Sequence, residues 1–159
     1  MVGMMAGYRT AADTLVDVAM RDRFQRDLLV FPILFLYRHA LELELKFLVN
    51  TYGRFAGVDP NWKTHDLRVL WAEFVKISGE FGANDSDGAD DTVASIVAEF
   101  SKMDPRSFSN RYPVDTKGNP IPVEKSELDL AVLKDVLDGV FGYFNGCDGY
   151  FDHLATAGP

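Results

Sequence analysis

The sequence predicts an all-α protein, an up-and-down bundle of about five helices with a small extended or hairpin insertion before the last. Three observations carry this. Residues 32–52, PILFLYRHALELELKFLVNTY, are apolar or aromatic at almost every position, as in a helix buried on nearly all sides. From Leu130 to Leu154, apolar residues alternate in steps of three and four, the spacing of a packed helical seam. Pro105, Pro113, Pro120 and Pro122 crowd one stretch, which therefore cannot be helical.

Taken in order, Tyr8, Ala11, Ala12, Leu15, Val18 and Ala19 repeat at helical spacing, predicting a first helix over about residues 7–30. Phe31 precedes a proline and is steered out of the α region, so the chain should turn there. Pro32 suits the first turn of a helix, where a missing N–H costs nothing. In the helix that follows, Arg38, His39, Glu42 and Lys46 fall within about 100° of one another, while Glu44 points elsewhere. The spacing Arg38–Glu42–Lys46 is an ion-pair ladder at i,i+4. Ten large apolar side chains at ~1.5–3 kcal/mol each give a gross burial term near ~20 kcal/mol. That term can carry a polar stripe whose charges are paired.

Residues 53–63 read as a linker. Thr64 offers a cap to a third helix whose buried face is Leu67, Leu70, Trp71, Phe74 and Ile77. Residues 81–90 are an acidic, glycine-containing loop, and Asp91 is placed to cap a fourth helix bearing Val93, Ile96, Val97 and Phe100. After the proline-rich stretch, Ser126 is the expected cap of the last helix. Beside its seam run Gly139, Gly142, Gly146 and Gly149. A mid-helix glycine costs about 1 kcal/mol against alanine, so four on one side suggest a closely approaching helix or a kink.

Residues 1–159 form one domain by length. No apolar run reaches the ~18 residues needed to span a bilayer, because Arg38 and His39 interrupt the best one, so no membrane partner is expected. The opening residues lack a basic region followed by an apolar core, and Cys147 is the single cysteine. Both fit a reducing, cytoplasmic setting. A net charge of −8 argues against broad electrostatic binding of nucleic acid but leaves room for a local basic patch near Arg9–Arg26, Arg38, Arg106 and Arg111. No glycine-rich phosphate loop, no H-E-x-x-H and no Cys/His cluster is present, so no metal and no cofactor is expected.

Two stretches together resemble HEPN domains. FLYRHALELELKFLV is similar to the helix written roughly Q-x-A-x-E-x-x-x-K-A-L in that family, with Glu42 and Lys46 on its Glu and Lys. About twenty residues on, Thr64-His65-Asp66-Leu67 matches the T-H-D-L that opens the next helix there. Within DPRSFSNRYPVD, the run from Ser107 to Pro113 is similar to the S-x-x-x-R-Y-P run in some bacterial HEPN-like proteins. The resemblance spans residues 35–71 and implies a compact, usually dimeric helical bundle. Many members are metal-independent RNases of toxin–antitoxin, phage-defence or CRISPR systems. Others are inactive partners of minimal nucleotidyltransferases. The nuclease members carry Arg, four to six residues, then His, and none of His39, His65 or His153 follows an arginine at that spacing.

The resemblance therefore implies an RNA- or nucleotide-associated module, binding in preference to cleaving, and a homodimer. Metal-free RNA cleavage needs a base, an acid and a cation on the phosphate. The candidates are His39 or His65 as base, with Arg38 or Arg111 on the phosphate. Each histidine has an alternative, as a packing residue for His39 and as the turn-forming residue of T-H-D-L for His65. Arg106, Asn110, Arg111 and Tyr112 form the candidate anion-binding group, since arginine grips phosphate in a bidentate way and tyrosine stacks on bases. The same arginines can equally pin the loop through Asp104 and Asp115. Glu42 and Lys46 are expected to be a structural polar stripe. The alternative function is a non-catalytic homodimeric interaction protein, or the partner of a nucleotidyltransferase.

Overall fold

The computed structural model describes residues 1–83, 88–104, 107, 111, 117–120 and 128–157. Within them the chain forms five α-helices and no β-strand: α1 (Val2–Ala19), α2 (Arg23–Tyr52), α3 (Leu67–Glu80), α4 (Ala89–Met103) and α5 (Leu130–Ala157). The protein is an all-α bundle. The small extended insertion expected before the last helix falls almost wholly outside the described residues.

Helix α2 is the axis. From Ile33 onward its apolar side chains are buried almost all round, with Ile33, Leu41, Leu45 and Leu48 fully enclosed. The expected hairpin between the first two helices is present, but it turns at residues 20–22 and not at Phe31. Asp22 decides this, because its carboxylate accepts the Phe24 N–H at 2.9 Å and caps α2 ten residues before Pro32. Pro32 lies inside the helix on an exposed side, where water can satisfy the Leu28 carbonyl that it leaves unbonded.

A 3₁₀ turn, Gly53–Ala56, follows, and a Cβ on Gly53 would collide with the Val58 carbonyl. The cap of α3 is Asp66, which accepts the Arg68 N–H at 2.9 Å, and not Thr64. Thr64 supports it from outside, its hydroxyl accepting the Asp66 N–H at 3.1 Å. Helix α4 begins at Ala89 behind Gly88, whose φ of +76° favours glycine, so Asp91 sits in the first turn and is not the cap. Asp129 opens α5 by accepting the Ala131 and Val132 N–H groups at 2.9 and 3.2 Å. The expected cap Ser126 lies outside the described residues.

The α5 seam packs as its spacing predicts, with Leu130, Leu137, Val140, Phe144 and Phe151 buried. Leu154 at its end is exposed. Phe74, Phe144 and Phe151 stack with Tyr52, Trp71, Phe81 and Tyr143 into one aromatic core. The four α5 glycines face outward, with open space where a Cβ would stand. Among the described residues no helix approaches them, so the close approach expected from their spacing is not made by any described helix.

Three tyrosine–aspartate hydrogen bonds of 2.6 Å tie helices together across the core edges: Tyr37 to Asp13, Tyr52 to Asp148 and Tyr143 to Asp90. Two ion pairs of 2.7 Å, Arg9–Asp138 and Lys134–Asp17, close α1 onto α5. Among the described residues no helix is long and apolar enough to cross a membrane.

Candidate functional site

One turn of α2 apart, Arg38, Glu42 and Lys46 stack along a single edge, as the i,i+4 spacing requires. This edge is buried. Arg38 is 0 % exposed and Glu42 1 %. Burial alone would cost several kcal/mol per charge, so every charge must be answered.

Glu42 is the hub. Its Oε2 accepts from Arg38 Nη1 at 3.0 Å, and its Oε1 accepts from Lys46 Nζ at 2.9 Å. Oε1 also receives His65 Nδ1 at 2.8 Å. A carboxylate can only accept, so Nδ1 carries a proton and Nε2 is the ring nitrogen left for other partners. Burial pushes the Glu42 carboxyl up, but the bonds from Lys46, His65 and Arg38 overcome it and hold the group below the usual carboxylate range.

Backbone carbonyls answer the remaining donors. Arg38 Nε donates to the Asp104 carbonyl at 2.8 Å and Nη2 to the His65 carbonyl at 2.6 Å. Lys46 Nζ also reaches the Trp62 carbonyl at 3.2 Å. Arg38 thus joins α2 to the entry of α3 and the end of α4. Within the triad Arg38, Glu42 and Lys46 two cations meet one anion, and Asp104, whose carbonyl takes Arg38 Nε, is fully buried as well.

His65 is the point at which this network reaches water. Its side chain is 56 % exposed although Nδ1 is fixed on Glu42. His39 makes no hydrogen bond to this network and packs edge-on to Tyr8 at 4.5 Å and stacked on Phe35 at 5.7 Å between ring centroids. Burial lowers the affinity of His39 for a proton, Glu42 opposes this, and Arg38, Lys46 and Arg111 add to the lowering. Arg111 is exposed and its guanidinium lies 5.5 Å from the centre of the Phe35 ring, a cation–π contact.

The predicted residues therefore divide into groups. Arg38, Glu42, Lys46 and His65 form one bonded network. His39 and Arg111 lie outside that network and both contact the Phe35 ring. Arg106, Asn110 and Tyr112 lie outside the described residues. Sequence reading missed the three carbonyls that saturate Arg38 and Lys46, since backbone acceptors leave no trace in residue identity. It also missed Phe35, although Phe24, Leu28, Phe31 and Phe35 continue the angular position of Glu42 along α2, which a helical-wheel count can reveal.

Among the described residues no group of His, Cys, Asp or Glu is placed to hold a metal ion. Compared with known proteins, the chain matches no family model, no curated protein and no solved structure.

Proposed function

We propose that this chain is a HEPN-like module that binds RNA or a nucleotide in a stress, toxin–antitoxin or defence setting, and that it binds without cleaving. The observation that carries the reading is the exposed His65 ring, held through Nδ1 on Glu42 beside the buried cations Arg38 and Lys46; in its protonated form the ring turns an Nε2–H donor to solvent for a phosphate oxygen. In a chain of net charge −8, such a spot concentrates favourable potential for one phosphate group. Arg111 beside Phe35 offers a cation and an aromatic face nearby, a pairing suited to a base and its phosphate.

Binding is favoured over cleavage by how the polar groups are occupied. Cleavage needs a proton acceptor and a proton donor on opposite sides of one phosphate, plus a cation free to follow the developing charge. Arg38 is enclosed and spends Nε, Nη1 and Nη2 on protein acceptors. His39 is wedged between Tyr8 and Phe35. Fluorescence anisotropy with a labelled structured RNA tests the proposal, with the RNA recovered and sized afterwards. His65→Ala and Arg111→Ala should each weaken binding about tenfold, and the RNA should remain intact. Wild-type protein that fails to bind, or binding indifferent to both changes, overturns it.

A second reading, a homodimeric interaction protein or a nucleotidyltransferase's partner, is favoured by a separate observation. The first half of α2 presents Phe24, Leu28 and Phe31 to solvent in steps of four and three, with Phe24 67 % exposed. Aromatic and leucine side chains aligned this way form a docking seam more often than a solvated face.

A further inference from the structure

Glu44 stands apart from the stripe used above. It projects from α2 toward α1 and α5, is 7 % exposed, and accepts no hydrogen bond from any described residue. What remains accessible of it lines a cleft of about 350 Å³, bordered by Met5, Arg9 and Asp13 of α1 and by Phe141 and Asn145 of α5. Its carboxylate is largely desolvated, takes no donor from the described residues and faces the cleft, whose size matches a small organic ligand.

The surroundings define the chemistry. Arg9 cannot serve Glu44 as a close partner, because its guanidinium is held on Asp138 at 2.7 Å, lies 4.0 Å from Asp13 and stacks 4.9 Å above Phe141. Asp13 already accepts from Tyr37, and Asp148 of α5 already accepts from Tyr52. Asp148 adds negative potential around Glu44 that Arg9 only partly offsets. The cleft thus joins one carboxylate lacking a donor, a surplus of negative charge, and an apolar wall from Met5 and Phe141. We propose that this cleft binds a small aliphatic primary amine, its ammonium donating to Glu44 and its alkyl body lying against Met5 and Phe141.

Burial, with Asp148 adding to it and Arg9 opposing, pushes the Glu44 carboxyl up to about 7. An ammonium ion needs the ionised form, and a site only fractionally in its competent state binds more weakly by that fraction. Amine affinity should therefore be about tenfold higher at pH 8 than at pH 6, while an aliphatic ammonium, like lysine with a pKa near ~10.4, stays charged at both.

The test is a ligand-observed NMR titration of the full chain with n-butylamine, and with n-butanol as the uncharged counterpart. Saturable butylamine binding is expected, stronger at pH 8, with butanol at least tenfold weaker. Glu44→Gln should abolish the difference between the two ligands, with its fold checked by circular dichroism. Ala6→Leu fills the cleft from its α1 wall without touching a charge, and should exclude both ligands even if Glu44→Gln misfolds. No saturable binding to the wild type, equal affinity for butanol, or butylamine binding unchanged in either folded variant overturns the proposal.

Discussion

Glu42 and Glu44 sit two residues apart on one helix and meet opposite fates. Glu42 accepts from Arg38, Lys46 and His65, whereas Glu44 accepts from no described residue. Their substitutions should therefore move stability in opposite directions. Glu42→Gln leaves Arg38 and Lys46 buried without their anion and should cost about 3–5 kcal/mol, read as a lower urea midpoint. For Glu44 the folded carboxyl lies at about 7 and the unfolded one near ~4.3. The folded state then holds more protons across that interval, so stability should fall as pH rises from 4 to 7 and level off above. Glu44→Gln should flatten that decline and stabilise the protein at pH 8 by roughly 2–3 kcal/mol. Thermal melts of both proteins between pH 5 and 8 check the sign. The Arg38–Glu42–Lys46 pairing was legible in the sequence because i,i+4 spacing dictates it. The saturation of Arg38 by the Asp104 and His65 carbonyls was not, since it depends on how distant segments fold back.

Helix limits show where local signals mislead. Pro32 looks like a first-turn residue, yet α2 begins at Arg23 because Asp22 caps it and the proline faces solvent. The apolar periodicity on both sides outweighs one missing hydrogen bond. Pro32→Ala restores a donor to the Leu28 carbonyl and should raise stability by about 1–2 kcal/mol, the helical gain being reduced by the freer unfolded chain. The α5 glycines raise a related point. Their spacing was visible in the sequence, but the open space around them was not. Gly142→Ala and Gly146→Ala meet no neighbouring atom and should each add about 0.5–1 kcal/mol, measured by chemical denaturation. A loss instead would mean that something beyond the described residues lies against that side of α5.

For the molecule as a whole, the bundle and its core were readable from periodicity, because α2 is apolar on most of its circumference and α5 keeps its three-and-four spacing from Leu130 to Phe151. The hydroxyl–carboxylate ties Tyr37–Asp13, Tyr52–Asp148 and Tyr143–Asp90 were not, as each spans a separation no local pattern encodes. Self-association is a property of this scale. If the solvent-facing side of α2 joins two copies, Phe24→Asp with Leu28→Asp should convert a dimer into a monomer in sedimentation velocity while the melting temperature of the monomer holds. Wild-type protein that sediments as a monomer throughout removes that reading.

The three-way grip of Arg38 also bears on synthesis. Its guanidinium is answered by α2 itself, by the carbonyl of residue 65 and by that of residue 104, so two-thirds of the chain must emerge from the ribosome before the last acceptor exists. A nascent chain arrested earlier carries its greasiest helix with a cation that has nowhere to go, and should stay bound to chaperones until residue 104 clears the exit tunnel.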